Sequence, residues 1–177
     1  KNYEIKRIID NSWQNLGSNF VELSRLEEIV NKKSLIKIKG IENIKEFINN
    51  QKQGIFFSIH QSNWEICVPI LDKLEVSIAA VYRHINNIYL DKLVYKFRTN
   101  SLTTNKSFYT PKGIKSAKEI IENVKNKKSI FLLIDQKDSS GENIVFFNKK
   151  VRTQLGFLKI ARKYQIPIIP IKNKRID

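Results

Sequence analysis

Residues 55–66 read IFFSIHQSNWEI, an apolar run that ends on His60 and is followed by Glu65 five positions later. On one regular α-helix five residues turn through about 500°, leaving the two side chains roughly 140° apart. That spacing disfavours pairing on a single helix. If His60 lies on a strand-to-helix loop and Glu65 in the first helical turn, the carboxylate turns back onto the imidazole. A carboxylate that accepts a hydrogen bond from one ring nitrogen fixes the tautomer, and the other nitrogen is then free to take a proton from a hydroxyl. The logic is that of a serine protease's histidine and acid without its nucleophilic serine, so the attacking hydroxyl belongs to a substrate, and the chemistry is group transfer onto an alcohol. The oxyanion that forms would be met by backbone amides near Asn63 at the helix start, or by the Arg83 side chain. The structural alternative makes His60 a hydrogen-bonded residue at a strand end and Glu65 an acid favoured near a helix N-terminus.

The elements around these residues follow from periodicity. Residues 4–30 place Ile5, Ile8, Ile9, Trp13, Leu16, Phe20, Leu23 and Leu26 at helical spacing, with Gly17 the expected break. LIKIKG (35–40) alternates like a strand, and IENIKEFINNQKQ (41–53) is patterned as a helix closed by Gly54. IFFSI (55–59) is a strand, and the helix SNWEICVPILDKL (62–74) is capped by Ser62 or Asn63, with Pro69 expected to kink or shorten it. VSIAAVYR (76–83) is a strand, IYLDKLVYKFRT (88–99) a helix and 100–111 a polar loop. GIKSAKEIIENVKNKK (113–128) is a helix that leads into the apolar strand SIFLLID (129–135). IVFF (144–147) is a short strand, Thr153 caps a helix through Tyr164, and IPIIPI (166–171) closes as a strand. Strands alternating with helices predict an α/β sandwich with a mostly parallel sheet flanked by helices. Ligand sites in such sheets gather beyond the carboxyl ends of the strands, where His60, Arg83 and Asp135 all fall.

Composition bounds the possibilities. A chain of 177 residues with 41% hydrophobic content buries a sizeable core, and 1–177 is expected to form one domain. The absence of methionine and the stop just past a core strand suggest that this domain is truncated at both ends. One cysteine, Cys67, excludes an intramolecular disulfide framework. No run approaches the roughly 18 to 20 apolar residues that span a bilayer, so any membrane anchor lies outside these residues. The net charge of +15 attracts polyanions, although abundant Lys, Ile and Asn are also what a bias toward AT-rich codons produces. A basic nucleic-acid-binding domain using Tyr82, Tyr89, Tyr95, Phe97 and Tyr109 is the rival from another class. Against it, the basic residues are spread along the chain, and no nucleic-acid partner is expected. One acid and two scattered histidines do not make a metal ligand set, so no metal is expected either.

HQSNWE (60–65), VYR (81–83), LLIDQ (132–136) and VFFNKKVRTQLGFLKIARKYQIPIIPI (145–171) together resemble, in order, the lipid A biosynthesis acyltransferases. These lauroyl and myristoyl transferases of Gram-negative bacteria belong to the lysophospholipid acyltransferase superfamily. The resemblance implies transfer of a fatty acyl chain from acyl carrier protein, or coenzyme A, to a hydroxyl of a lipid A precursor. The setting it implies is the cytoplasmic face of the inner membrane. His60 would be the base and Glu65 its orienting acid in an H-x4-E motif, Arg83 would meet an anionic substrate group, and Asp135 and Gln136 would match the DQ pair near the site. No cofactor is implied, because the acyl thioester is a substrate. Acylation of glycerol phosphate, a lysophospholipid or another glycolipid is the alternative within the superfamily. The family usually has glycine where this chain has Ser62 and Asn148, and proline where it has His84. A basic surface at the carboxyl ends of the strands, including Arg83 and Lys137, would suit the acidic carrier protein and the lipid phosphates.

Overall fold

The computed structural model describes residues 2–50, 53–111, 116–136, 139 and 141–176. Its centre is a five-stranded sheet in which every pairing is parallel: β1 (Ile55–Ser58), β2 (Ile78–Tyr82), β3 (Phe108–Pro111), β4 (Ser129–Leu133) and β7 (Ile168–Pro170), in the order β3-β2-β4-β1-β7. A separate antiparallel hairpin pairs β5 (Glu142–Phe146) with β6 (Lys149–Thr153). The helices are α1 (Asn2–Leu23), α2 (Leu26–Asn31), α3 (Ile41–Asn49), α4 (Cys67–Lys73), α5 (Ile88–Asn100), α6 (Ser116–Lys125) and α7 (Gly156–Tyr164). The expected α/β sandwich with a parallel sheet is the observed fold.

The central strands bury residues on both faces, as parallel strands covered by helices do. Phe56, Ala80 and Phe131 pack with Val68, Leu71 and Phe47 in one layer, while Ile55, Ala79 and Ile130 pack with Val124 and Ala161 in the other. A third cluster joins Leu23, Leu26 and Val30 to Val94 of α5. Cys67 sits in the first layer, where burial pushes its thiol up to about 11 against hydrogen bonds from Asn173 and Ser58.

Several local expectations change. α1 runs through Gly17 without a break, and the chain turns at Ser24 and Arg25 instead. Residues 35–39 are not a strand, because among the described residues no neighbour offers them a ladder; Lys33–Leu35 form a 3-10 turn and Ile36 is extended. Pro69 neither kinks nor ends α4, since it lies in the first turn, where its missing N–H has no intrahelical partner. The polar loop expected at 100–111 ends in the edge strand β3, with Pro111 tolerated because an edge needs no ladder on its outer side. Thr153 ends β6; the N-cap of α7 is Leu155, without a side-chain cap, and the Gln154 side chain accepts from the Gly156 amide at 3.1 Å. The expected ends of the helices at 51–52 and 113–115, and Lys137, lie outside the described residues.

Asp72, fully buried at the end of α4, shapes the loop that leads to β3. Its carboxylate accepts from the amides of Thr103 at 2.7 Å and Thr104 at 2.8 Å and from both threonine hydroxyls. Burial alone would raise its pKa, but hydrogen bonds from Ser107, Thr104 and Thr103 outweigh that and hold it below the ordinary carboxylate value. Asp72→Ala removes the shared acceptor of the part-buried Thr103 and Thr104 amides, and is expected to cost about 1 to 3 kcal/mol of stability. Urea unfolding measures this, and an unchanged midpoint would show that the loop holds its shape without the carboxylate.

Candidate active site

The sheet register brings two site residues together. Ser58 of β1 lies opposite Leu133 of β4, so the chains leave the sheet side by side, with His60 and Asp135 each two residues further on. The His60 amide donates to Asp135 Oδ2 at 2.9 Å, and His60 Nδ1 lies 2.7 Å from Oδ1. An ionised carboxylate there makes Nδ1 the protonated nitrogen and leaves the lone pair on Nε2. The Gln136 amide nitrogen approaches that Nε2 at 3.4 Å, and the Trp64 ring meets the imidazole edge-on at 4.9 Å.

Glu65 does not take the place expected of it. Among the described residues no hydrogen bond joins it to His60. Asn63 caps the 3-10 turn Trp64–Ile66 by accepting from the Glu65 amide at 3.1 Å, and the Glu65 carboxylate points to α5. There Arg98 grips it with two bonds, Nε to Oε2 at 2.7 Å and Nη2 to Oε1 at 2.6 Å, while the Trp64 indole donates to Oε1 at 3.1 Å. A bidentate guanidinium holds a buried carboxylate far better than a neutral imidazole does, which is why this pairing prevails. Burial works against the Arg98 charge, yet the Glu65 hydrogen bonds and charge keep its pKa above the ordinary value. The rings of Tyr82 and Tyr109 lie 5.7 and 5.8 Å from the guanidinium carbon.

His60, Glu65 and Arg98 line one cavity of about 280 Å³, together with Arg83, Gln136 and Tyr109. Most of the remaining lining is hydrocarbon: Val68, Ala80, Ile130, Leu132, Phe157 and Ile160 are among its walls. Burial pushes the Tyr109 phenol well above its usual range, and its hydroxyl has no hydrogen-bond partner among the described residues. Asp135 stands behind the imidazole rather than in the lining. Asn63 is not in the lining either. Its side chain is occupied by the cap and by a 2.6 Å bond to Glu22 of α1.

Arg98 and Tyr109 carry no motif; Arg98 is not a sequence candidate, and Tyr109 is one only for the rival nucleic-acid reading. Arg98 left one trace, because it falls four residues after the buried Val94 on α5, and a cation on the inward side of a helix requires a partner. Of the aromatics that could have served nucleic-acid binding, Tyr109 is buried and Tyr82 and Phe97 are half-buried, so three of the five face inward.

The family model described as bacterial lipid A biosynthesis acyltransferase matches residues 1–176 of the chain. No curated protein matches it.

Replacing Arg98 by Met leaves the Glu65 carboxylate buried without its cation. Removing one partner of a buried pair costs about 3 to 5 kcal/mol. The double variant Arg98→Met/Glu65→Leu should recover most of that loss, because no charge is then stranded. Chemical denaturation of the three proteins checks it, and equal stability of the single and double variants would mean that the carboxylate finds another partner.

Proposed function

The chain belongs to the bacterial lipid A biosynthesis acyltransferases and is an acyltransferase, and from that premise we propose that His60 and Asp135 are its working pair. The observation that carries this reading is the 2.7 Å contact between His60 Nδ1 and Asp135, made beside a cavity whose walls are mostly hydrocarbon. The donor in this proposal is an acyl thioester on acyl carrier protein or coenzyme A, and the acceptor is a hydroxyl of a lipid A precursor at the cytoplasmic face of the inner membrane.

In the proposed reaction, His60 Nε2 takes the proton of the acceptor hydroxyl as its oxygen attacks the thioester carbonyl. Asp135 holds the ring in the required tautomer and stabilises the imidazolium that forms. The tetrahedral intermediate collapses with cleavage of the C–S bond, and the imidazolium returns the proton to the departing thiolate. The products are an ester and a free thiol. Arg83 and Arg98 are the cations in the cavity lining that can face the developing oxyanion or a phosphate, and Gln136 stands beside Nε2. Glu65 acts in this account by holding Arg98 in the cavity wall, with the acid of the H-x4-E motif serving geometry rather than the ring. The hydrocarbon lining suits a fatty acyl chain.

Three variants assayed for initial transfer rate with acyl carrier protein thioester and lipid A precursor test these roles. His60→Ala removes the base and should lower the rate about 10²- to 10⁴-fold without unfolding the protein. Asp135→Asn should fall in a similar range, because an amide no longer selects the tautomer or stabilises the imidazolium. Glu65→Gln should lower both activity and thermal stability, since it weakens the grip on Arg98. Near-normal turnover by folded His60→Ala protein would make His60 structural and end this reading. Mass spectrometry of the lipid product separates a lipid A precursor from glycerol phosphate, lysophospholipid or another glycolipid as acceptor.

A further inference from the structure

Among the described residues the β5–β6 hairpin pairs with no strand of the main sheet, and it ends in a cluster of exposed apolar side chains. Val145, Phe146 and Phe147 are 70%, 59% and 86% exposed, and none of them belongs to a core cluster. The two rings pack edge-to-face at 4.6 Å, leaving their outer surfaces to solvent. The turn places Phe147 at φ 48° and Asn148 at φ 60°, left-handed positions that suit a tight hairpin. Asparagine tolerates such a φ readily, whereas a phenylalanine there is an outlier that costs backbone energy and contributes no buried surface. Folding does not account for a phenylalanine at this position.

The cross-strand register adds a second feature. Phe146 lies opposite Lys149 and Val145 opposite Lys150, so two of the three apolar side chains have a lysine as cross-strand neighbour, one pair on each face of the hairpin. A lysine beside an apolar group lays its stem along hydrocarbon and carries its ammonium to the phosphate level, which is the arrangement used at the boundary between acyl chains and headgroups.

We propose that the tip of the β5–β6 hairpin enters the surface of an anionic phospholipid bilayer, with Phe146 and Phe147 seated below the headgroups and Lys149 and Lys150 on the lipid phosphates. The proposal rests on the reading of the substrate as a lipid, because a bilayer is then the surface that presents it. A convex tip of three apolar side chains is far short of the roughly 800 Å² per partner that a stable protein interface buries. Lipids rearrange around a small protrusion and need no matching concavity.

The hairpin is also rooted at the cavity. Gly141 packs so closely on the end of β6 that a Cβ there would lie 2.5 Å from the Thr153 carbonyl oxygen, and Glu142 pairs with Lys159 of α7 at 2.5 Å. Gln154, the next residue after β6, lines the cavity. It lies seven positions after Phe147, a reach of roughly 20 Å along an extended strand. Insertion of the tip would therefore hold the cavity at a set distance from the membrane.

Flotation with vesicles of phosphatidylcholine, alone or mixed with phosphatidylglycerol, tests this on the 177-residue chain. Partition onto the mixed vesicles should fall about tenfold for each phenylalanine replaced by serine, and so about a hundredfold for F146S/F147S. K149E/K150E should lose the preference for phosphatidylglycerol, at about fivefold per lysine removed. F147W reports depth directly, since its added indole emission should shift to the blue and be quenched by brominated lipid. Absence of wild-type binding, equal binding by F146S/F147S, or an unshifted and unquenched F147W would each overturn the proposal. So would weaker capture of acyl carrier protein by F146S/F147S with vesicle binding intact, which would make the tip a protein-docking element. Thermal unfolding confirms that the variants fold, and F147W decides the matter if the serine variant does not. Vesicle binding is read without acyl transfer, so an inactive wild-type protein would overturn the catalytic reading and leave this test standing.

Discussion

The parallel register of β1 with β4 is the constraint on which the candidate site depends. Parallel strands end on the same side of a sheet, so residues leaving two neighbours at matched positions emerge together. Here Ser58 faces Leu133, and His60 and Asp135 meet two residues later. A slip of one residue would move the carboxylate by about 3.3 Å along its strand and reverse its side. Packing on both faces prevents that slip. Phe56 and Phe131 fill one layer and Ile55 and Ile130 the other, so any shift would send large side chains into the wrong layer.

The buried pair of Glu65 and Arg98 sets a second constraint. Two charges taken out of water cost several kcal/mol each, and their attraction offsets this only with good geometry and further hydrogen bonds. The bidentate contact, the Trp64 indole and the flanking rings of Tyr82 and Tyr109 supply those conditions. The pair joins the turn after β1 to α5 and holds Tyr109 of the edge strand against the same guanidinium. The cavity wall thus carries Glu65, Arg98 and Arg83 among side chains that are mostly hydrocarbon.

Two of the three positions at which the sequence departs from the pattern the resemblance implies, Ser62 and Asn148, take left-handed backbone. Ser62, usually glycine, stands at φ 53°, a left-handed conformation that glycine adopts without cost. Here it is held by its surroundings: Asn15 and Asn19 of α1 donate to its carbonyl at 3.1 and 2.5 Å, and its hydroxyl accepts from the Arg175 amide at 3.2 Å. Arg175 in turn grips Glu22 of α1. α1 is thus docked by amides, while Ile5, Ile8, Ile9, Trp13, Leu16 and Phe20 stay exposed. Asn148, where the resemblance implies glycine, adopts φ 60° at the hairpin turn, a conformation that asparagine tolerates better than most residues.

Periodicity and motif order were enough to establish an α/β sandwich with a parallel sheet, the position of His60 beyond β1 and of Asp135 beyond β4, and the acyltransferase family, because these depend on local pattern. The unpaired residues 35–39 and the strand β3 depart from expectation for a common reason: each depends on whether a partner lies alongside, which no local pattern contains. Gly17 is different, because a glycine inside a helix costs only about 1 kcal/mol and need not break it. The site shows the same division. Spacing within HQSNWE suggested that the acid nearest in sequence serves the histidine, but sequence distance says little once a sheet is assembled. Asp135 lies 75 residues away and reaches His60 through strand register, while Glu65 is drawn to Arg98, a cation 33 residues on that no motif marks. The residue types able to do the chemistry were legible in the chain. Which of them face each other was decided by tertiary structure, because strand register and the need to pair buried charge act between segments that are distant in sequence.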